Sequence, residues 1–132
     1  MVTIAQFLID NPIDNIIDEV SISPRFGKLM FKIKPMNGKE YAEYQKRSTN
    51  IGRHQKVDFS NQIFNELVVL NHTIEPNFRD AEVIKKAGCK SPEEFLYKSL
   101  KAGEIVELAD KISAISGFDK DIEEVVDDAK NS

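Results

Sequence analysis

Apolar residues in this chain recur with two different periods, and the periods mark its elements. Between residues 16 and 35 the period is two. Val20 and Ile22 share one side of IDEVSIS, and Leu29, Phe31 and Ile33 share one side of LMFKIK, opposite Met30, Lys32 and Lys34. Such alternation predicts half-buried strands. Pro24 and Gly27 supply turn chemistry between them, and Pro35 ends the second strand. The pair reads as an N-terminal β-hairpin. It must pack on other elements, because a lone hairpin is marginal in water.

From residue 37 onward the period lengthens to between three and four. Asn37 can cap a helix over 37–50, with Glu40 completing a capping box and Tyr41 and Tyr44 sharing a face. Asn50-Ile51-Gly52 breaks it. GRHQKVDF, 52–59, is basic and reads as a loop or a short strand through Val57. Residues 59–73 carry the widest apolar stripe: Phe59, Ile63, Phe64, Leu67, Val68 and Leu70, reaching toward Ile74. That stripe predicts the core-facing helix, capped by Asp58 or Ser60. The β-branched pair Val68-Val69 also suits a strand, but length and period favour a helix.

Pro76 ends that element. Asn77 or Asp80 then opens a short helix through Val83, Ile84 and Ala87, closed by Gly88. Ser91-Pro92-Glu93-Glu94 is a strong helix start, with Phe95, Leu96 and Leu100 as the apolar face. Lys101-Ala102-Gly103 reads as a hinge. Residues 104–116 follow as a patterned helix through Ile105, Leu108, Ala109, Ile112 and Ile115. Gly117 fits the left-handed position after it, with Phe118 packing back in a Schellman-type ending. At the other end, Ile4, Phe7, Leu8 and Ile9 precede Asn11-Pro12 and fit a short docking helix or an extended arm. The expected fold class is α+β: a mainly α-helical single domain over 1–118, with an N-terminal β-hairpin and about five helices. An acidic C-terminal appendage, 119–132, follows it.

Composition agrees with one globular domain. The chain has 132 residues, 41% of them hydrophobic and 30% charged, which suffices for one core and argues against disorder of the whole. No apolar run approaches the ~20 residues that cross a bilayer, and MVTIAQFLIDNP lacks the layout of a signal peptide. A cytoplasmic protein without a membrane partner is therefore expected. The single cysteine, Cys89, leaves no intrachain disulfide framework.

Charge changes the picture more. Residues 24–60 hold nine Lys and Arg against three Asp and Glu, whereas 104–132 hold nine acids against three Lys. The molecule is a charge dipole in sequence. This suits internal complementarity, a tail that masks a basic face, two binding surfaces, or self-association of the acidic end of one subunit with the basic face of another. Within the acidic appendage Ile122, Val125 and Val126 keep helical spacing.

Candidate chemistry is sparse. His54, His72 and Cys89 lack metal-ligand spacing, so no metal or cofactor is expected. His72 reads as a partly exposed helix-end residue whose charge suits the dipole, and Cys89 as a small hydrophobe. The acidic pairs Glu93-Glu94, Glu123-Glu124 and Asp127-Asp128 read as caps or a solvated face. FGK, 26–28, lacks the spacing of a phosphate loop. Lys32, Lys34, Arg47, Arg53 and Lys56 raise nucleic-acid binding as an alternative, but a solvated basic face is the expectation. An enzyme is not expected.

The order of elements carries a resemblance. IEPNFRDAEVIKKAG, 74–88, is followed closely by SPEEFLYKSLKAGE, 91–104, and then ISGF, 115–118. Over roughly residues 5–128 the chain resembles the XkdN-like tail assembly chaperones of PBSX-like prophages and contractile-tailed phages. The resemblance implies a role in tail morphogenesis in the host cytoplasm, absence from the finished particle, and no catalytic centre. It implies the tape measure protein as partner, a long helical ruler kept soluble until the tail tube polymerises around it. Candidate partner contacts are whatever part of the Tyr41/Tyr44 face core packing leaves over, and Ile122, Val125 and Val126 in the appendage. A structural tail or baseplate-associated protein is the other alternative.

Overall fold

A computed structural model describes residues 2–52 and 56–118. The chain opens with helix α1, Ile4–Asp10, whose N-terminus is closed by the Thr3 hydroxyl accepting from the Gln6 amide at 3.1 Å. Strand β1, Asp18–Val20, and strand β2, Phe31–Ile33, form the expected hairpin, with Val20 opposite Phe31 and Asp18 opposite Ile33. Phe31 and Ile33 point into the core while Lys32 points out, as the period of two requires. Leu29 falls before the strand and is exposed rather than sharing their face.

Helix α2, Gly38–Ser48, begins at the predicted capping box: the Glu40 amide donates to Asn37 Oδ1 at 2.8 Å, and the Asn37 amide to Glu40 Oε1 at 3.0 Å. It stops two residues earlier than expected, because Thr49 and Ile51 are β-branched and pair into a second hairpin. Strands β3, Thr49–Ile51, and β4, Val57–Phe59, set Ile51 opposite Val57 and Thr49 opposite Phe59. Phe59 therefore belongs to a strand and not to the helix that follows.

Helix α3, Asn61–His72, starts at Ser60, whose hydroxyl accepts from the Ile63 amide. Leu67, Val68, Val69 and Leu70 are buried in it, and it packs against both α2 and α6, the last helix, Ala102–Ile115. The chain then leaves the helix for strand β5, Thr73–Glu75, which adds to the free side of β2 and completes a three-stranded sheet in the order β1-β2-β5. Thr73 and Ile74 are β-branched, and Pro76 disfavours helical backbone at Glu75, so the expected continuation of the helix gives way to a strand.

Helix α4, Ala81–Lys86, is capped by Asp80. Helix α5, Pro92–Ser99, is capped by Ser91. The break before α6 falls at Leu100 and Lys101; Ala102 and Gly103 already lie in the first turn of α6 rather than in a hinge. After Ile115 the amide of Gly117 donates to Ala114 O and that of Phe118 to Ser113 O, both hydrogen bonds of a Schellman ending, with Gly117 at φ 103°. The described residues thus hold six α-helices, and one core gathers Ile33, Phe78, Leu96, Leu108, Ile112 and the α3 valines, with no residue of α1 in it.

Candidate partner-binding surface

Capping fixes the phase of α2 and so decides what its two tyrosines do. Tyr44 turns inward and is 6% exposed. Its hydroxyl and His72 Nε2 lie 2.8 Å apart in a hydrogen bond, with the rings edge to face. Burial, reinforced by the Glu40 carboxylate, pushes the Tyr44 hydroxyl up to about 12, so it stays protonated. His72 is wholly buried, a correction to the partly exposed helix end expected of it. Burial holds its imidazole below the ordinary value, against the opposing pull of the Glu40 carboxylate 3.8 Å away. A neutral His72 supplies no cation to the helix dipole; its place is a polar contact inside the core.

Tyr41, one turn earlier, is half-buried and sits in a row of aromatic rings. Its centroid is 4.8 Å from that of Phe118 and 5.8 Å from that of Phe64, and Phe64 is 5.7 Å from Phe59. The Tyr41 hydroxyl accepts from Gln45 Nε2 at 2.8 Å. The row runs from the end of α6 across α2 and α3 to the β3–β4 hairpin. Of the two candidate tyrosines, only Tyr41 keeps an accessible part. Ile122, Val125 and Val126, like Arg53 and His54, lie outside the described residues.

The β3–β4 register places Ile51, Val57 and Phe59 on one side of the hairpin. That side faces solvent: Ile51 is 72% exposed and Val57 64%. At its foot a recess of about 380 Å³ opens between Arg47, Asp58, Phe59 and Ile63. A second hollow of about 420 Å³, between α3 and the α5–α6 junction, is lined by Tyr97, Leu100, Ile105 and Val106 with Asn61 and Asn65 at its edge.

A further apolar surface lies on α1, where no residue is buried. Ile4 is 77% exposed, Leu8 62% and Phe7 54%. Their spacing of three and four was visible in the sequence, but it reads equally as a helix docked on its own core. Only the tertiary arrangement distinguishes the two.

The basic stretch is partly consumed inside the protein. Arg25 grips Glu104 through two hydrogen bonds of 2.7 Å, and its guanidinium stacks 4.3 Å from the Phe26 ring. Lys32 lies 3.9 Å from Glu19 across the first hairpin. Cys89 is buried, with Sγ 3.7 Å from Ala87 O. Among the described residues no three His, Cys, Asp or Glu side chains converge as metal ligands.

A family model described as "Phage XkdN-like tail assembly chaperone protein" matches residues 4–130. The chain is 28% identical to "Phage-like element PBSX protein XkdN" of Bacillus subtilis (strain 168), over 86% of this chain and 83% of that one. It is 29% identical to the YqbN protein of the same organism over the same shares. The crystal structure of YqbN shares its fold, with a TM-score of 0.67 at 24% identity over 90% of this chain and 99% of that one.

Proposed function

The chain belongs to the phage XkdN-like tail assembly chaperone family, and from that premise we propose that it binds the tape measure protein and keeps it soluble until the tail tube polymerises. Its task is stoichiometric binding. It acts in the host cytoplasm and leaves before the particle is complete.

The observation that carries this reading is α1, a helix of seven residues with no buried side chain and with Ile4, Phe7 and Leu8 on one face. A helix this short is unstable by itself in water, and an exposed apolar stripe of this kind marks an interaction site. Anchors at i, i+3 and i+4 suit a helical client that presents an apolar face of its own. The accessible part of Tyr41, with Ile122, Val125 and Val126, is a second candidate contact. Tyr44, buried against His72, is left to the core.

Co-expression with the tape measure protein encoded nearby tests the reading. A soluble complex should copurify with the intact chain and be lost with the double variant Phe7→Asp, Leu8→Asp. Absence of any complex, with the chain instead retained in purified tails, would make it a structural tail protein. Tight, salt-sensitive DNA or RNA binding would favour the nucleic-acid alternative.

A further inference from the structure

We propose that two copies of this chain associate by exchanging arms: α1 of each copy lays Ile4, Phe7 and Leu8 into the hollow between α3 and the α5–α6 junction of the other. The inference concerns the purified chain without a client, so it stands or falls separately from the tape measure reading.

The two surfaces match in kind. Leu100 and Ile105 are buried and floor the hollow, while the exposed side chains of Tyr97 and Val106 wall it. Its volume of about 420 Å³ lies within the roughly 300–1,000 Å³ of a ligand pocket, room for a few apolar side chains. Helix α1 offers such side chains at i, i+3 and i+4, the spacing with which an amphipathic helix enters a groove. Within one chain both surfaces stay open. Phe7 and Leu8 remain exposed although the same chain carries the hollow. Residues 11–17 join α1 to β1, so the helix is tethered to the body with its apolar face uncovered.

Area favours a mutual exchange over one-way docking. Burying three large side chains and the surface they meet removes on the order of 800 Å² from water, short of the roughly 1,200 Å² of a stable interface. Two arms exchanged about a twofold axis reach about 1,600 Å², a standard size. The closed pair also leaves neither arm free to recruit a third copy. Ordering two short arms offsets part of the gain. The pair is therefore a weak one, dilute chains are monomers, and a client that takes the α1 face breaks it.

Charge sets the direction of the arm. Asp10 is the acid within α1 and stands at its C-terminal end, accepting from Gln6 Nε2 at 3.0 Å. Lys101 is exposed between Leu100 and Ala102, two residues that line the hollow. Glu66 and Glu93 approach the hollow from another side, near the Tyr97 hydroxyl. The favoured register sets Asp10 beside Lys101 and away from those two carboxylates, since opposite potentials fix the orientation of such a contact.

Sedimentation velocity of the purified chain between about 1 and about 200 µM tests the inference. The mass should rise from monomer to dimer and stop there. The arm variant Phe7→Asp, Leu8→Asp and the hollow variant Val106→Asp should each weaken the association by roughly a hundredfold or more, because a symmetric dimer counts every substitution twice. As dilute monomers both variants should keep the unfolding midpoint of the intact chain, since the replaced side chains are exposed. That control separates a lost contact from a lost fold. An intact chain that stays monomeric throughout would overturn the proposal. So would a dimer that survives Val106→Asp, because its arms would then be packed on something other than the hollow.

Discussion

Arg25 and Glu104 lie 79 positions apart in the chain and form a two-pronged ion pair, Nε to Oε2 and Nη2 to Oε1, each at 2.7 Å. The same guanidinium donates to Ser99 O at 2.8 Å, and the Lys101 amide donates to Glu104 Oε1 at 2.7 Å. One carboxylate thus closes the first turn of α6 and fastens it to the loop between β1 and β2. A planar guanidinium suits this fork, and lysine could not reproduce both prongs.

This pair predicts an acid dependence. The Arg25 hydrogen bonds hold the Glu104 carboxyl down at about 2, from an ordinary 4.5. A depressed carboxyl stabilises the fold fully above its unfolded value and loses that contribution as pH falls through the folded one. Thermal unfolding of the intact protein should therefore lose stability between about pH 4.5 and 2. Glu104→Gln should melt lower at pH 7 and show a flatter profile in that window. Arg25→Lys should melt lower as well, and the two substitutions together should be less than additive.

The core hydrogen bond between Tyr44 and His72 predicts a second dependence. Tyr44→Phe removes the hydroxyl and leaves a buried ring nitrogen without its partner, at a cost of about 1–3 kcal/mol measured by denaturant unfolding. Burial lowers the His72 pKa below 6.5, so the unfolded chain takes up its proton first as pH falls. Stability should drop as pH is lowered from about 6.5 toward the folded value. That slope should vanish in His72→Gln, although the variant is less stable at pH 7.

Two neighbours on α6 should respond unequally to truncation. Leu108 is fully buried against α3, and Leu108→Ala should cost about 2–5 kcal/mol. Val106, two residues before it, is 47% exposed at the rim of the α5–α6 hollow. Val106→Ala should stay within about 0.5 kcal/mol. Chemical denaturation of both variants checks the helix phase directly.

The α1 face should be silent in stability and decisive in binding. Phe7→Asp with Leu8→Asp should leave the unfolding midpoint of the isolated chain unchanged within about 0.5 kcal/mol, because neither side chain is buried. Copurification of the tape measure protein should nevertheless fall sharply. A large drop in the midpoint would show that the helix packs on its own domain.

Local sequence determined most of the elements. The Asn37–Glu40 box, the Ser91-Pro92 start and the Gly117 ending each appear where short-range chemistry places them, because caps and left-handed glycines act within one turn of helix. The period of two set the first hairpin, and the stripes of α3 and α6 marked the core. Longer-range facts were not legible. Residues 73–75 form a strand because β2 offers a free edge to them. Residues 49–51 and 57–59 are strands because they meet each other. Tyr44 and His72 are each unremarkable in sequence and become a buried pair through the packing of α2 on α3. Arg25 reads as one more surface cation until Glu104 is beside it. The apolar spacing of α1 is the same whether its face is covered or bare, since period records which residues share a side and not what lies against that side. Partnership across the fold, and the surface left without a partner, were decided by tertiary structure alone.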